Sequence, residues 1–139
     1  MTTHAPTTGT PAAVVRVLQV STVLAALNVF AQFVTAGRLF PQGGPEELHA
    51  AGAIVLHVFS GVGALAALYL WRRHGAPLLL PALAVVVFLA GLAQAAVGGR
   101  STLWVHVPGA MVLTAGVVWL LVLVFGPLAR RSDPSAPSR

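Results

Sequence analysis

Charged residues are spaced along this chain in a way that few folds tolerate. No Asp, Glu, Lys or Arg occurs from Leu48 to Trp71, from Gly75 to Gly99, or from Ser101 to Ala129. Each gap exceeds the roughly 20 residues that a helix needs to cross about 30 Å of hydrocarbon. A soluble four-helix bundle would instead carry charges on its outward faces at every turn, so the pattern excludes a water-soluble domain. Composition agrees, with 57% hydrophobic residues, 8% charged residues and a mean hydropathy of +0.86. The sequence therefore predicts an all-α polytopic membrane protein, a bundle of four transmembrane helices in a lipid bilayer.

The spans are expected at about 14–36, 48–71, 77–97 and 103–128, flanked by a disordered N-terminal tail over 1–13 and a polar tail over 130–139. Met1 to Ala13 is rich in Thr, Pro and Ala and lacks the charged start, apolar middle and cleavage site of a secretory signal. Arg72-Arg73-His74-Gly75 is expected as a tight turn, Pro81 as a tolerated residue in the first turns of the third span, and Gly98-Gly99-Arg100 as its break. Glu46 and Glu47 suit the N-terminus of the second span.

All eight basic residues are arginine, and the net charge is +5. They lie at the edges of apolar runs and form no basic stripe with interleaved aromatics, which excludes a nucleic-acid partner. As topology signals they divide unevenly. Arg16, Arg72, Arg73, Arg130, Arg131 and Arg139 fall on one side, and Arg38 and Arg100 on the other with Glu46 and Glu47. Short cytoplasmic segments retain positive charge, so a multi-pass protein of the cell membrane with both termini cytoplasmic is expected. Cysteine is absent, which excludes disulfides, iron–sulfur clusters and thiolate metal sites.

The chain contains a weak internal duplication. Ala31-Gln32 followed by Gly37-Arg38 ends the first span, and Ala93-Gln94 followed by Gly99-Arg100 ends the third. An outer loop then leads to His49-Ala50-Ala51-Gly52-Ala53 in the second span and to His106-Val107-Pro108-Gly109-Ala110 in the fourth. Two hairpins of the same orientation imply a pseudo-two-fold axis along the membrane normal. His49 and His106 then sit at matching depth near the outer surface, where two imidazoles can face one another across the bundle axis. A histidine in a membrane span is costly and usually marks a ligand, a proton path or an interhelical hydrogen bond, so a solvated or capping role stays open beside a shared-ligand role.

Other polar residues carry plainer expectations. His57 lies about 12 Å deeper than His49 and is rotated by about 80° at helical geometry, which suits a buried hydrogen bond, with a second ligand or proton relay as the alternative. Its counterpart in the second repeat is Thr114, while His74 and His4 are expected to be solvated. Gln32 and Gln94 are expected to stabilise helix packing by finding amide partners across the bundle. Arg38 and Arg100 either snorkel at the headgroups or, with a haem present, pair with its two propionates. Gly52, Ser60, Gly61, Gly63, Gly91, Gly109 and Gly116 either allow close helix contact or make room for a porphyrin.

Zinc and copper sites usually recruit three or four protein ligands, and no carboxylate or thiol lies inside the spans. A b-type haem needs only two imidazoles and an apolar slot. The expected metal ligands are His49 and His106, with Arg38, Arg100, Gln32 and Gln94 around a haem b.

These residues also resemble one four-helix half of a haem A synthase. The resemblance rests on the Thr-Gly-like turn Val34-Thr35-Ala36-Gly37, on Glu46-Glu47-Leu48-His49 opening the second span, on Gln94 to Gly98, and on Leu103 to His106 opening the fourth. The chain is similar too to small four-helix membrane proteins of actinobacteria that have a histidine opening spans two and four. The resemblance implies that His49 and His106 are axial haem ligands on the outer side of the membrane. The synthase usually has Arg directly after its span-two histidine, where Ala50 stands here, and this chain has neither a cysteine pair nor a second half. What carries over is haem binding rather than haem modification; if the chain is an enzyme, it is an oxidoreductase similar to that synthase.

The leading expectation is thus a bis-histidine haem b protein that passes electrons or serves as an accessory haem-binding subunit. A quinone or redox-protein partner, and a homodimer or larger membrane complex, fit that reading. The alternatives are a cofactor-free structural or assembly subunit and, less favoured, a small transporter with His57 in a proton or solute path. Transport ranks last because no broken helix or intramembrane carboxylate is evident.

Overall fold

In hydrocarbon every backbone N–H and C=O must find a partner within the protein, so an apolar chain of this kind closes its hydrogen bonds locally as helix. The computed structural model describes residues 11–40 and 43–126. Among these residues it is all-helical: α1 (Ala12–Arg38), α2 (Glu46–His74), α3 (Leu79–Ala96), a 3₁₀ turn (Arg100–Thr102) and α4 (Leu103–Phe125). Four helices are long and apolar enough to cross a membrane. The N-terminal residues before Pro11 and the expected tail over 130–139 lie outside the described residues.

The helix ends follow their local chemistry and shift the expected boundaries. Ala12 and Ala13, expected in the tail, belong to α1, which starts directly after Pro11. Glu46 and Glu47 form the first turn of α2, next to its positive dipole end. Arg72, Arg73 and His74 are not a turn: they form the last helical turn of α2, where cations complement the exposed carbonyls. Gly75 alone makes the reversal, at φ 65°, donating its N–H to the Leu70 carbonyl. α3 begins at Leu79 rather than Pro77, and Pro81 falls in its first turn, where a missing N–H costs nothing. α4 closes at Phe125 with Gly126, short of the expected limit.

The helices surround a common axis in chain order, so that α1 packs on α2, α2 on α3, α3 on α4 and α4 on α1. No Cα of α2 comes within 8 Å of one in α4, which leaves these two helices diagonal across the bundle. Two buried clusters fill the axis. Leu18, Ala67, Leu70, Leu80, Ala84, Leu120 and Val124 are among those at the end where α1 begins. Ala25, Val29, Leu56, Val87, Leu113 and Val117 occupy the other half. Outward-facing side chains are apolar, including Phe30 at 71% exposure, Leu65 at 70% and Trp104 at 78%, a surface that only lipid or another apolar partner covers favourably.

Burial repeats with the sequence. On α1 the buried positions Leu18, Thr22, Ala25 and Val29 correspond, at one constant shift, to Leu80, Ala84, Val87 and Gly91 on α3. On α2 and α4 the pairs are Leu56 with Leu113, Ser60 with Val117, Gly63 with Leu120 and Ala67 with Val124. The two hairpins thus present the same faces to the shared core.

Candidate functional site

The end of the bundle where α1 and α3 finish gathers the paired motifs. His49 sits in the first turns of α2 and His106 in the first turns of α4, each just after a loop that returns from the preceding helix. Although their helices are diagonal neighbours, the two imidazoles reach the axis and meet there, with ring centres 6.2 Å apart and planes at 73°. Both side chains are partly buried. The matched depth expected from the duplication is therefore present in the fold.

Each ring is tied to its own hairpin through Nδ1. Nδ1 of His106 lies 3.1 Å from the backbone carbonyl of Gln94. A carbonyl oxygen only accepts, so this contact puts the proton on Nδ1 and leaves Nε2 with a free lone pair. Nδ1 of His49 lies 3.0 Å from Oγ1 of Thr35, whose hydroxyl is also 3.1 Å from the carbonyl of Gln32. Each ring thus has a backbone partner, Gln94 for His106 and Gln32 for His49, and the helix registers set how free each carbonyl is. α3 stops at Ala96, half a turn past Gln94, so the Gln94 carbonyl is among the last four that lack an intrahelical donor. α1 continues to Arg38, more than a full turn past Gln32, so its Gln32 carbonyl already serves the helix.

Gln32 and Gln94 occupy equivalent places, although not as amide partners. The Gln32 side chain lies against Gly52 of α2, and the Gln94 side chain against Gly109 of α4; any Cβ at either glycine would overlap the amide. A side chain at either position would have to displace the end of a flexible glutamine, which takes up the space that glycine leaves. Among the described residues Gln94 Oε1 is buried without a hydrogen-bond partner. The expectation of amide bonds across the bundle is corrected to shape: long side chains in glycine notches fix the spacing of the two helices in each hairpin. Beside Gly52 and Gly109, space that a porphyrin could have used is filled.

The arginines stand at the rim. Arg38 is in the last turn of α1 and is exposed. Arg100 opens the 3₁₀ turn, with its Nη2 3.7 Å from Oε1 of Glu46 and both side chains largely exposed. This ion pair joins the loop between α3 and α4 to the start of α2.

His57 is separate from this site. Its ring edge lies against Gly91 of α3, and Nε2 is buried without a partner among the described residues. Ser60 donates to the Leu56 carbonyl and Thr114 to the Ala110 carbonyl, so both hydroxyls are satisfied on their own helices. His74, expected to be solvated, is instead half-buried beside Tyr69, their ring centres 5.5 Å apart. His4 lies outside the described residues. Among the described residues no group of three or more His, Cys, Asp or Glu side chains could hold a metal ion, so a cation site here would have to be built on the histidine pair.

Thr35 is the residue of this site that sequence reasoning missed. Its signal was present, since it stands one turn after Gln32 at the end of α1 and faces the loop that returns to His49. Compared with protein-family models, curated proteins and solved structures, the chain matches none.

Proposed function

We propose that this chain is an integral membrane haem b-binding protein with bis-histidine ligation by His49 and His106, acting in electron transfer or as an accessory haem-binding subunit. One observation carries the reading: the two imidazole centres are 6.2 Å apart on the bundle axis. With metal–imidazole bonds of about 2 Å and about 1 Å from each Nε2 to its ring centre, His49 and His106 would have their ring centres roughly 6 Å apart if they held one iron between them. The rings meet edge to face at 73°, so holding one iron through both Nε2 atoms would require them to turn out of this contact. A Nδ1–H held by an oxygen acceptor, with Nε2 left as the donor atom, is the usual arrangement of a ligating histidine.

Around that pair, Arg38 and Arg100 supply cations at the rim for two propionates, and Gln32 and Gln94 pack against Gly52 and Gly109 within their own hairpins. A bound haem supplies a one-electron iron couple. The residues of the chain do the rest: they hold the ligands in one tautomer, exclude water with apolar side chains, and leave the outer end near the membrane surface, within reach of a quinone or a redox protein. The arginine distribution supports placement in the cell membrane with both termini cytoplasmic, and the apolar outer surface accommodates a homodimer or a larger complex.

A cofactor-free structural or assembly subunit is the second reading. The edge-to-face contact of the rings and their hydrogen bonds within each hairpin favour it, since both histidines are then already accounted for. A reduced-minus-oxidised spectrum of the purified protein separates the two. The haem reading requires the sharp low-spin bands of a b-type haem; a colourless protein that takes up no haem in vitro leaves the structural reading.

A further inference from the structure

The His49 ring has two oxygen partners at the end of α1, the Thr35 hydroxyl and the Gln32 backbone. Thr35 has one hydroxyl proton and two oxygen lone pairs. Its Oγ1 is 3.1 Å from the Gln32 carbonyl, which can only accept, and 3.0 Å from Nδ1 of His49. Both contacts are attractive together in one arrangement, in which Thr35 donates to Gln32 and accepts from a protonated Nδ1. If the hydroxyl donated to Nδ1 instead, its oxygen would face the carbonyl oxygen with no proton between them. The chain Nδ1–H···Oγ1–H···O=C thus gives His49 the same tautomer that the Gln94 carbonyl gives His106 directly.

The second hairpin has no such device. The position equivalent to Thr35 is Val97, which lies beyond the end of α3, where the Gln94 carbonyl is already free. In the first half the helix runs on past Gln32, so its carbonyl is shared between the helix and His49, and the Thr35 hydroxyl adds a second acceptor.

Resting on the haem reading above, we infer that Thr35 is a positioning residue for His49, holding its Nδ1–H so that Nε2 faces the axis, while the main chain alone performs this task for His106. The two histidines are therefore unequal in one respect: His49 has a side-chain hydroxyl at Nδ1 beside its main-chain contact, and His106 has the main-chain contact alone. An acceptor at Nδ1 raises the basicity of a ligating imidazole, and outer partners of this kind typically alter metal affinity or activity by about 10–100-fold. Removing the hydroxyl makes His49 the weaker donor, which disfavours the ferric state and raises the midpoint potential.

The test has one arm without haem and one with it, both on the full chain in detergent or nanodiscs. In haem-free protein, ring-nitrogen NMR with signals assigned through His49→Ala and His106→Ala should show both histidines protonated at Nδ1. Thr35→Val should move the His49 signals towards the Nε2–H form and leave those of His106 unchanged, Thr35→Ser should restore them, and Val97→Ala should do nothing. A wild-type His49 protonated at Nε2 overturns the inference without any variant having to fold, and so does a Thr35→Val protein with an unchanged His49. In haem-loaded protein, Thr35→Val should retain haem about 10-fold less tightly and at a higher potential, with Thr35→Ser close to wild type. Unchanged retention and potential would overturn the tuning role. A colourless wild type whose tautomers are as expected would instead sink the haem reading and leave the hydrogen-bond chain standing.

Discussion

The two hairpins agree in which positions they bury and in the residues they bring to the histidine end, and they differ at several polar positions along their spans. Their buried positions coincide along α1 and α3 and along α2 and α4. Each hairpin lays a glutamine against a glycine and points a histidine at the axis. Yet the first carries Ser21, Asn28, His57 and Ser60 where the second has Leu83, Ala90, Thr114 and Val117. A bundle in lipid gains little from hydrophobic attraction between its helices, so close packing must come from small residues and matched surfaces, and these are what the duplication keeps. The features held in common mark the site, and those found in one half alone mark what that half must do differently, as Thr35 does for a helix that runs on past its glutamine.

The largest effect expected from breaking this equivalence is at the histidines. His49→Ala and His106→Ala should each remove the low-spin haem spectrum while the protein stays helical and monodisperse. If one of them keeps a six-coordinate low-spin haem, the ligand pair is not the repeat-related one. Next come the glycine notches. Gly52→Leu and Gly109→Leu each force a branched side chain into space held by a glutamine, and overpacking of this sort costs about 1–3 kcal/mol. Thermal unfolding in detergent should show similar losses for the two variants. Markedly unequal losses would show that the hairpins share sequence without sharing energetics.

How much of this was legible in the sequence depended on the physics involved. The four helices followed from charge-free runs, because lipid forbids unpaired backbone and the only local remedy is helix. The meeting of His49 and His106 followed from the duplication, since equal register on parallel helices gives equal depth. Helix ends were harder to place: Arg72 to His74 contain no feature separating a last helical turn from a loop, and the decision fell to Gly75. The glutamines were misjudged because a buried amide suggests a hydrogen bond, whereas the partner found is a glycine whose role is to be absent. The Thr35 contact depends on where α1 ends relative to Gln32, a boundary of the least predictable kind.

A smaller effect is expected from His57, which tests whether the duplication or mere histidine content locates the site. His57 is two helical turns inward from His49, lies against Gly91 rather than facing His106, and has no equivalent histidine in the second hairpin. His57→Leu removes a buried nitrogen that has no partner among the described residues, and such exchanges are often nearly neutral or stabilising. The variant should keep its haem and low-spin spectrum, with melting displaced by no more than about 1 kcal/mol. Loss of haem from His57→Leu together with its retention in His49→Ala would transfer the first ligand from His49 to His57.

The smallest effect concerns Arg100, and it separates two roles for one side chain. The contact with Glu46 at 3.7 Å is long and its partners are 65% and 74% exposed, so water screens it and the pair contributes about 0–1 kcal/mol. Glu46→Gln should accordingly change neither stability nor the haem spectrum. Arg100→Gln breaks the same pair and, if Arg100 also neutralises a propionate, removes a charge-assisted hydrogen bond from the cofactor. Loss of that cation disfavours the propionate charge and should loosen haem retention several-fold, an effect that salt weakens because the site lies near the surface. The comparison is therefore Glu46→Gln against Arg100→Gln, measured as haem transfer to an excess of apomyoglobin at low and high ionic strength. Faster transfer in Arg100→Gln alone, most evident at low salt, assigns Arg100 to the cofactor. Equal rates in the two variants confine it to its contact with Glu46, leaving the second hairpin without the cation that the repeat places opposite Arg38.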